Sequence, residues 1–145
     1  MVADIKTIIG YAKHIFKVLG LNHKESVYGK ALRMCLQKNL IPHRSEICCP
    51  IFFMEEIIAY GRADFIVDDT IIEIKANKLS VASATDQIEK YIKSLNRVEQ
   101  KNYSGLIINF NQRSGKVEVF TLNPLPVLRP RPSRVISKFF QNKKK

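Results

Sequence analysis

The chain has 145 residues, 46% of them hydrophobic, with 24 Lys plus Arg against 13 Asp plus Glu and a formal charge of +11. That length suits one compact domain, and the apolar fraction excludes wholesale disorder. No run of ~18 apolar residues offers a membrane span. Asp4, Lys6 and Lys13 interrupt the N-terminal apolar pattern where a secretory signal would need an unbroken stretch. Cys35 stands alone and Cys48 and Cys49 are adjacent, with no C-x-x-C and no His/Cys spacing. A disulfide framework and a zinc site are both disfavoured. The expectation is an intracellular protein of cytoplasm or nucleus, not secreted and without a membrane partner.

Taken in chain order, Ile5, Ile8, Ile9, Ala12, Ile15, Phe16 and Leu19 mark one face of an amphipathic helix that Gly20 ends. A second helix is predicted from Asn22 as N-cap to about Asn39, burying Tyr28, Ala31, Leu32, Cys35 and Leu36 before Pro42 forbids continuation. The pattern then turns to short strand-like runs, Ile47–Phe53, Ile57–Tyr60, Ala63–Val67 and Thr70–Lys75. Met54-Glu55-Glu56 and Asp68-Asp69 separate them as hairpin turns, and Gly61 leaves the middle two open as one bent strand. A helix from about Val81 to Leu95 follows, then strands Ser104–Phe110 and Lys116–Leu122. Leu106-Ile107-Ile108 is apolar on consecutive positions, as for a strand buried on both faces. The order α-α-β-β-β-α-β-β describes a mixed α/β sandwich. Cys48-Cys49 on its apolar strand is read as core, and His14, His23 and His43 show no metal-binding spacing.

The charge is unevenly placed. Residues 124–145 hold Arg129, Arg131, Arg134, Lys138, Lys143, Lys144 and Lys145, with no acidic residue and four of the six prolines. The remaining 1–123 carry 17 basic and 13 acidic side chains, a net of only +4. Alternating Pro and Arg builds neither helix nor central strand. The division is therefore a domain over 1–123 and a basic tail over 124–145, extended or partly disordered, with a helical turn around Val135–Phe140. A solvated basic tail, nucleic-acid binding through Arg129, Arg131, Arg134 and Lys143–Lys145, nuclear targeting and docking of a protein partner all remain open.

The chemistry-bearing segment runs from Arg62-Ala63-Asp64 through Asp68-Asp69 to Glu73-Ile74-Lys75. Glu73 and Lys75, two apart on a strand, emerge on one face, and the hairpin can set Asp64 beside Glu73. Converging carboxylates repel unless a proton or a divalent cation lies between them, and Mg²⁺ or Mn²⁺ suits an all-oxygen site. Lys75 is placed to orient or help deprotonate an attacking water, or to stabilise charge on a phosphate. The competing reading is a cross-strand ion pair. Against it stands the cost of placing Glu and Lys in a strand as apolar as Ile71–Ala76.

D-x(8)-E-x-K across a hairpin, with helices before it and a helix and strand after it, resembles the PD-(D/E)XK nuclease superfamily. More narrowly, the chain resembles the small GxxExxY proteins. The matching elements are Leu19-Gly20-Leu21-Asn22-His23-Lys24-Glu25-Ser26-Val27-Tyr28, Ala31-Leu32, Arg62-Ala63-Asp64, Glu73-Ile74-Lys75, Gln87-Ile88-Glu89-Lys90-Tyr91 and Gly105-Leu106-Ile107-Ile108-Asn109-Phe110. They cover roughly residues 5–122. Asn22 stands where the family has Gly and Leu21 where Pro is usual, and Asn tolerates a left-handed φ. The tail lies outside the resemblance.

The resemblance implies a restriction-endonuclease-like mixed sheet flanked by helices and a metal-dependent nuclease, acting on DNA rather than RNA, with a homodimer possible. Asp64, Glu73 and the Ile74 carbonyl would bind Mg²⁺ or Mn²⁺, and Lys75 would be the catalytic lysine. Glu25 would be an accessory acid or further metal ligand, though Asn22-x-x-Glu25 also has the spacing of a capping box. Gln87 and Tyr91, one helical turn apart, would contact phosphate or orient Lys75. Arg62 would contact phosphate or partner Asp64. The alternative is a nuclease fold used without turnover, as a nucleic-acid-binding or assembly module.

Overall fold

The computed structural model describes residues 4–79 and 82–124. Helix α1 spans Ile5–Leu19, with the Asp4 side chain accepting from the Lys6 amide at its N-terminus. Gly20 closes it at φ 72°, in the left-handed region that costs glycine least. Helix α2 spans Glu25–Lys38, two residues later than expected, with Lys24 rather than Asn22 at its N-cap. Asn22 instead takes φ 70° in the interhelical turn, so the capping-box reading of Glu25 falls. The conformation that Gly would supply there is nevertheless kept.

Strand β1 covers Arg44–Phe53 and β2 covers Glu56–Val67. The two middle runs are thus one strand passing through Gly61. Phe53 pairs with Glu56 across Met54 and Glu55, which take φ 50° and 69°. Positive φ at both turn residues marks a type I′ hairpin, formed here without Asn or Gly. Strand β3 covers Thr70–Lys75 after a second two-residue turn, in which Asp68 has φ 51°. Helix α3 runs Ala82–Glu99, a turn beyond the expected Leu95, while Val81 lies outside the described residues. Strands β4, Ser104–Phe110, and β5, Val117–Leu122, complete the fold. The expected turn near Val135–Phe140 also lies outside the described residues.

The five strands form one sheet in the order β1-β2-β3-β4-β5. Every pairing is antiparallel except β3–β4, which is parallel and needs the α3 crossover. Alternation along the strands divides the core, with β2 changing face between Ala63 and Phe65. Phe65, Val67, Ile72, Ile74, Leu106, Ile108 and Phe110 pack with α1 and α2. Ile47, Cys49, Ala63, Ile66, Ile71 and Ile107 pack with α3. Leu106, Ile107 and Ile108 have no exposed surface, as a strand covered on both faces requires. Each fully buried Ile or Leu contributes about 1.5–3 kcal/mol. Of the cysteine pair only Cys49 is buried; Cys48 is exposed because it points to the opposite side of the edge strand. This α/β architecture is the one expected of a restriction-endonuclease-like domain. No helix among the described residues is long and apolar enough to cross a membrane.

Candidate active site

The β2–β3 ladder is regular only at its turn end, pairing Val67 with Thr70, Ile66 with Ile71 and Phe65 with Ile72. One residue further, side chains replace the backbone bonds. The Asp64 amide donates to Glu73 Oε1 at 3.1 Å, and the Ile74 amide donates to Asp64 Oδ2 at 2.8 Å. Each carboxylate thus holds the opposite strand with one oxygen and keeps the other. The expected meeting of Asp64 and Glu73 is realised, through an exchange that no periodicity predicts.

Their electrostatics follow from that placement. Glu73 is 3% exposed, and burial, then the Asp64 charge, pushes its carboxyl up to about 8. Burial also raises Asp64, with the Ile74 amide and Lys75 pulling the other way. Two acids this close cannot both ionise without compensation. Lys75 Nζ donates to Gln87 Oε1 at 3.1 Å, and Gln87 Nε2 donates to the Tyr91 hydroxyl at 3.0 Å. Burial and the Glu73 charge raise the Tyr91 phenol. The expected row Lys75–Gln87–Tyr91 therefore exists as a hydrogen-bonded chain on the α3 side.

Glu25, at the first turn of α2, is exposed and lines a groove with Asp64, Arg62 and Ile74. Its charge adds to the upward pressure on Asp64 and Glu73. Among the described residues, no three His, Cys, Asp or Glu side chains converge as a metal-holding group. Glu25 is thus not brought into a triad with Asp64 and Glu73. Arg62 is exposed beside Asp64, and its charge lowers the Asp64 carboxyl. A second groove, of about 540 Å³, is lined by Lys75, Gln87, Tyr91, Asp86 and Lys90. The site therefore opens to both sides of the sheet. Arg129, Arg131, Arg134 and Lys143–Lys145 lie outside the described residues.

The donor set fits a hard divalent cation. Two adjacent carboxylates each retain an oxygen, the raised Glu73 carboxyl favours a cation in place of its proton, and the Ile74 carbonyl follows Glu73 directly in sequence. Mg²⁺ commonly takes only one or two carboxylates and keeps its waters, so a third acid is unnecessary.

Sequence reasoning missed the polar supports. Asn109, fully buried and paired with Lys75 across β3–β4, accepts from the Asn77 amide and donates to Glu118. Gln112 donates through Nε2 to Tyr28 Oη and accepts the Asn22 amide at Oε1, while its own amide donates to Asn77. The loop after Lys75 and the turn before Glu25 thereby share one anchor. A lone Asn in the run Leu106–Phe110 was the available signal, since a buried amide must find partners. Gly61 was also missed as a packing residue. A Cβ there would lie 2.5 Å from the Tyr91 ring. Gly61→Ala should cost about 1–3 kcal/mol in thermal or urea denaturation and displace Tyr91, because overpacking forces neighbours off their rotamers.

The profile of the PD-(D/E)XK nuclease superfamily matches residues 3–121. The chain belongs to the PD-(D/E)XK nuclease superfamily. The matched range of this superfamily member takes in Asp64, Glu73 and Lys75. No curated protein matches the chain. Among solved structures, that of SSO0001 aligns with a TM-score of 0.49 at 15% identity, over 78% of this chain and 55% of the other. The chain therefore spans about half the length of that structure.

Proposed function

We propose that the protein is a divalent-cation-dependent nuclease that hydrolyses phosphodiester bonds in DNA, of the GxxExxY type. The observation that supports it most is the reciprocal carboxylate–amide exchange between Asp64 and Glu73, with Lys75 two residues on. Asp64, Glu73 and the Ile74 carbonyl would hold Mg²⁺ or Mn²⁺, with Glu25 at the rim. Bound there, the cation would supply Lewis acidity toward the scissile phosphate and toward water. Lys75 directs its ammonium to the same locus, steering a nucleophilic water and countering charge that develops on the phosphate. Gln87 fixes the direction of Lys75, and Tyr91 fixes Gln87. The preference for DNA rests on analogy with the superfamily.

The test is incubation with Mg²⁺, Mn²⁺ or EDTA and a panel of single-stranded, nicked, branched and duplex DNA plus RNA, beside Asp64→Asn. Asn keeps an oxygen for the Ile74 amide, so the fold is retained while the charge is lost. Cleavage that needs the cation and disappears in Asp64→Asn is expected. Cleavage persisting in EDTA or in the variant would overturn the reading, and binding without cleavage would favour a non-catalytic module. Removal of residues 124–145 should weaken binding and flatten the salt dependence of log Kd by roughly 3–6, since each lost phosphate contact removes about 0.9. An unchanged slope would show that the tail makes no phosphate contact.

A further inference from the structure

Beside Asp64 lies a groove of about 260 Å³, lined by Glu25, Lys30, Arg33, Glu46 and Arg62. That is smaller than the ~300–1,000 Å³ of a drug-sized pocket, and gives room for about one nucleotide. Its charges are sorted along the sheet. Glu46 falls between the paired residues Ser45 and Ile47, at the level of Asp64, while Glu25 raises the Asp64 carboxyl. Both acids therefore belong to the cation end. Lys30, Arg33 and Arg62 are the basic complement.

Arg33 carries an independent mark. Its Nε is the buried side-chain nitrogen left without a hydrogen-bond partner among the described residues. An unsatisfied buried donor on a guanidinium is costly, and a native structure keeps few of them. A phosphate in the groove that Arg33 lines would give the guanidinium, on a small rotation, an acceptor for that nitrogen, and guanidinium is the group best shaped for that acceptor.

The strand continues the argument. Period two sets Tyr60 beside Arg62 on the face of β2 opposite Gly61 and Ala63, and Arg62 lines the groove together with Asp64. Tyr60 is 65% exposed, an aromatic ring standing in solvent next in line after a basic groove. Aromatic platforms beside a positively charged backbone path are how proteins bind unpaired nucleic acid, because a ring can stack only on a base released from its own stack.

We propose that the stretch of β2 bearing Tyr60, Arg62 and Asp64, with Lys30 and Arg33 of α2, is a track for an unpaired nucleic-acid strand, its phosphate held by Arg33 and Arg62 and its base stacked on Tyr60. This deepens the nuclease reading, on which it rests for the strand's course past Asp64. It assigns the substrate as single-stranded or locally frayed.

The test measures binding of the full chain in EDTA by fluorescence anisotropy, so that no cleavage intervenes, with labelled oligothymidylate and a blunt duplex of equal length. Tyr60→Ala should weaken oligothymidylate binding about 5- to 100-fold and leave duplex binding within about twofold, with Tyr60→Phe restoring it. Arg33→Gln and Arg62→Gln should each lower the salt slope by about 1 on oligothymidylate. Wild-type oligothymidylate affinity in Tyr60→Ala, an equal loss on duplex, or an unchanged slope in both arginine variants would overturn the track. Because binding is read without the cation, the two readings fail separately. Tyr60-dependent binding with no cleavage on any substrate retains the track and removes the nuclease, and cleavage without Tyr60 dependence does the reverse.

Discussion

Lys75→Ala is expected to lower cation-dependent cleavage by about 10²–10⁴-fold, the range for loss of a positioned proton-transfer or charge-stabilising group. The side chain is half-buried and ends on Gln87 Oε1, so the loss should appear in kcat with little change in melting temperature. Lys75→Arg should not rescue. The guanidinium is larger and planar, stays protonated, and cannot occupy the ammonium's place against Gln87. Gln87→Leu should give a smaller loss, about 10-fold, because it leaves the ammonium present but undirected. Single-turnover cleavage of one labelled substrate by all three variants checks the order. Full activity in Lys75→Ala would remove the lysine from the mechanism.

Without a divalent cation, the protein should lose stability as pH rises from about 5 to 9. Glu73 titrates at about 8 in the fold against an ordinary 4.5, so the folded state keeps a proton that the unfolded chain has already released across that window. Stability from this group is complete below the lower value and is lost as pH climbs through the upper one. The expected fall in melting temperature is about 10–15 °C. Mg²⁺ should reverse it at the alkaline end, because the cation replaces the proton. Glu73→Gln retains an oxygen for the Asp64 amide and removes the titration, so its profile should be flatter and its response to Mg²⁺ weaker. Differential scanning fluorimetry over pH, with and without Mg²⁺, reads both effects. A wild-type profile as flat as that of Glu73→Gln would refute the assignment.

The sequence made the elements legible where one force dominated. The apolar stripe Ile5–Leu19 and the fully buried Leu106–Ile108 follow from burial alone. Asp64 and Glu73 could be placed side by side because a two-residue turn fixes strand register. Boundaries failed where local preference yielded to tertiary pairing. Gly61 left a break and one bent strand both open, and β2 continues through it, since Cys49 on β1 pairs with it and Tyr91 fills the space above. Asn22 reads as an N-cap, but Gln112, ninety residues away, holds its amide. The carboxylate–amide exchange and the Asn109 and Gln112 anchors join residues that no local pattern connects. The geometry that makes the site was thus the part least visible in the chain.

The parallel pairing of β3 with β4 carries a consequence for synthesis. Asp64, Glu73 and Lys75 all precede residue 76, but β3 gains its second neighbour only when Ser104–Phe110 exists. Until then β3 is a raw sheet edge, and Gln87 has no fixed place from which to hold Lys75. Contacts this distant in sequence form late, because loop closure must precede them. A chain still emerging from the ribosome, or one cut within the crossover, would carry every acidic ligand and yet lack a working site. Under the proposed function, competence to cut would thus coincide with completion of the domain, and an unfinished chain would leave nucleic acid untouched.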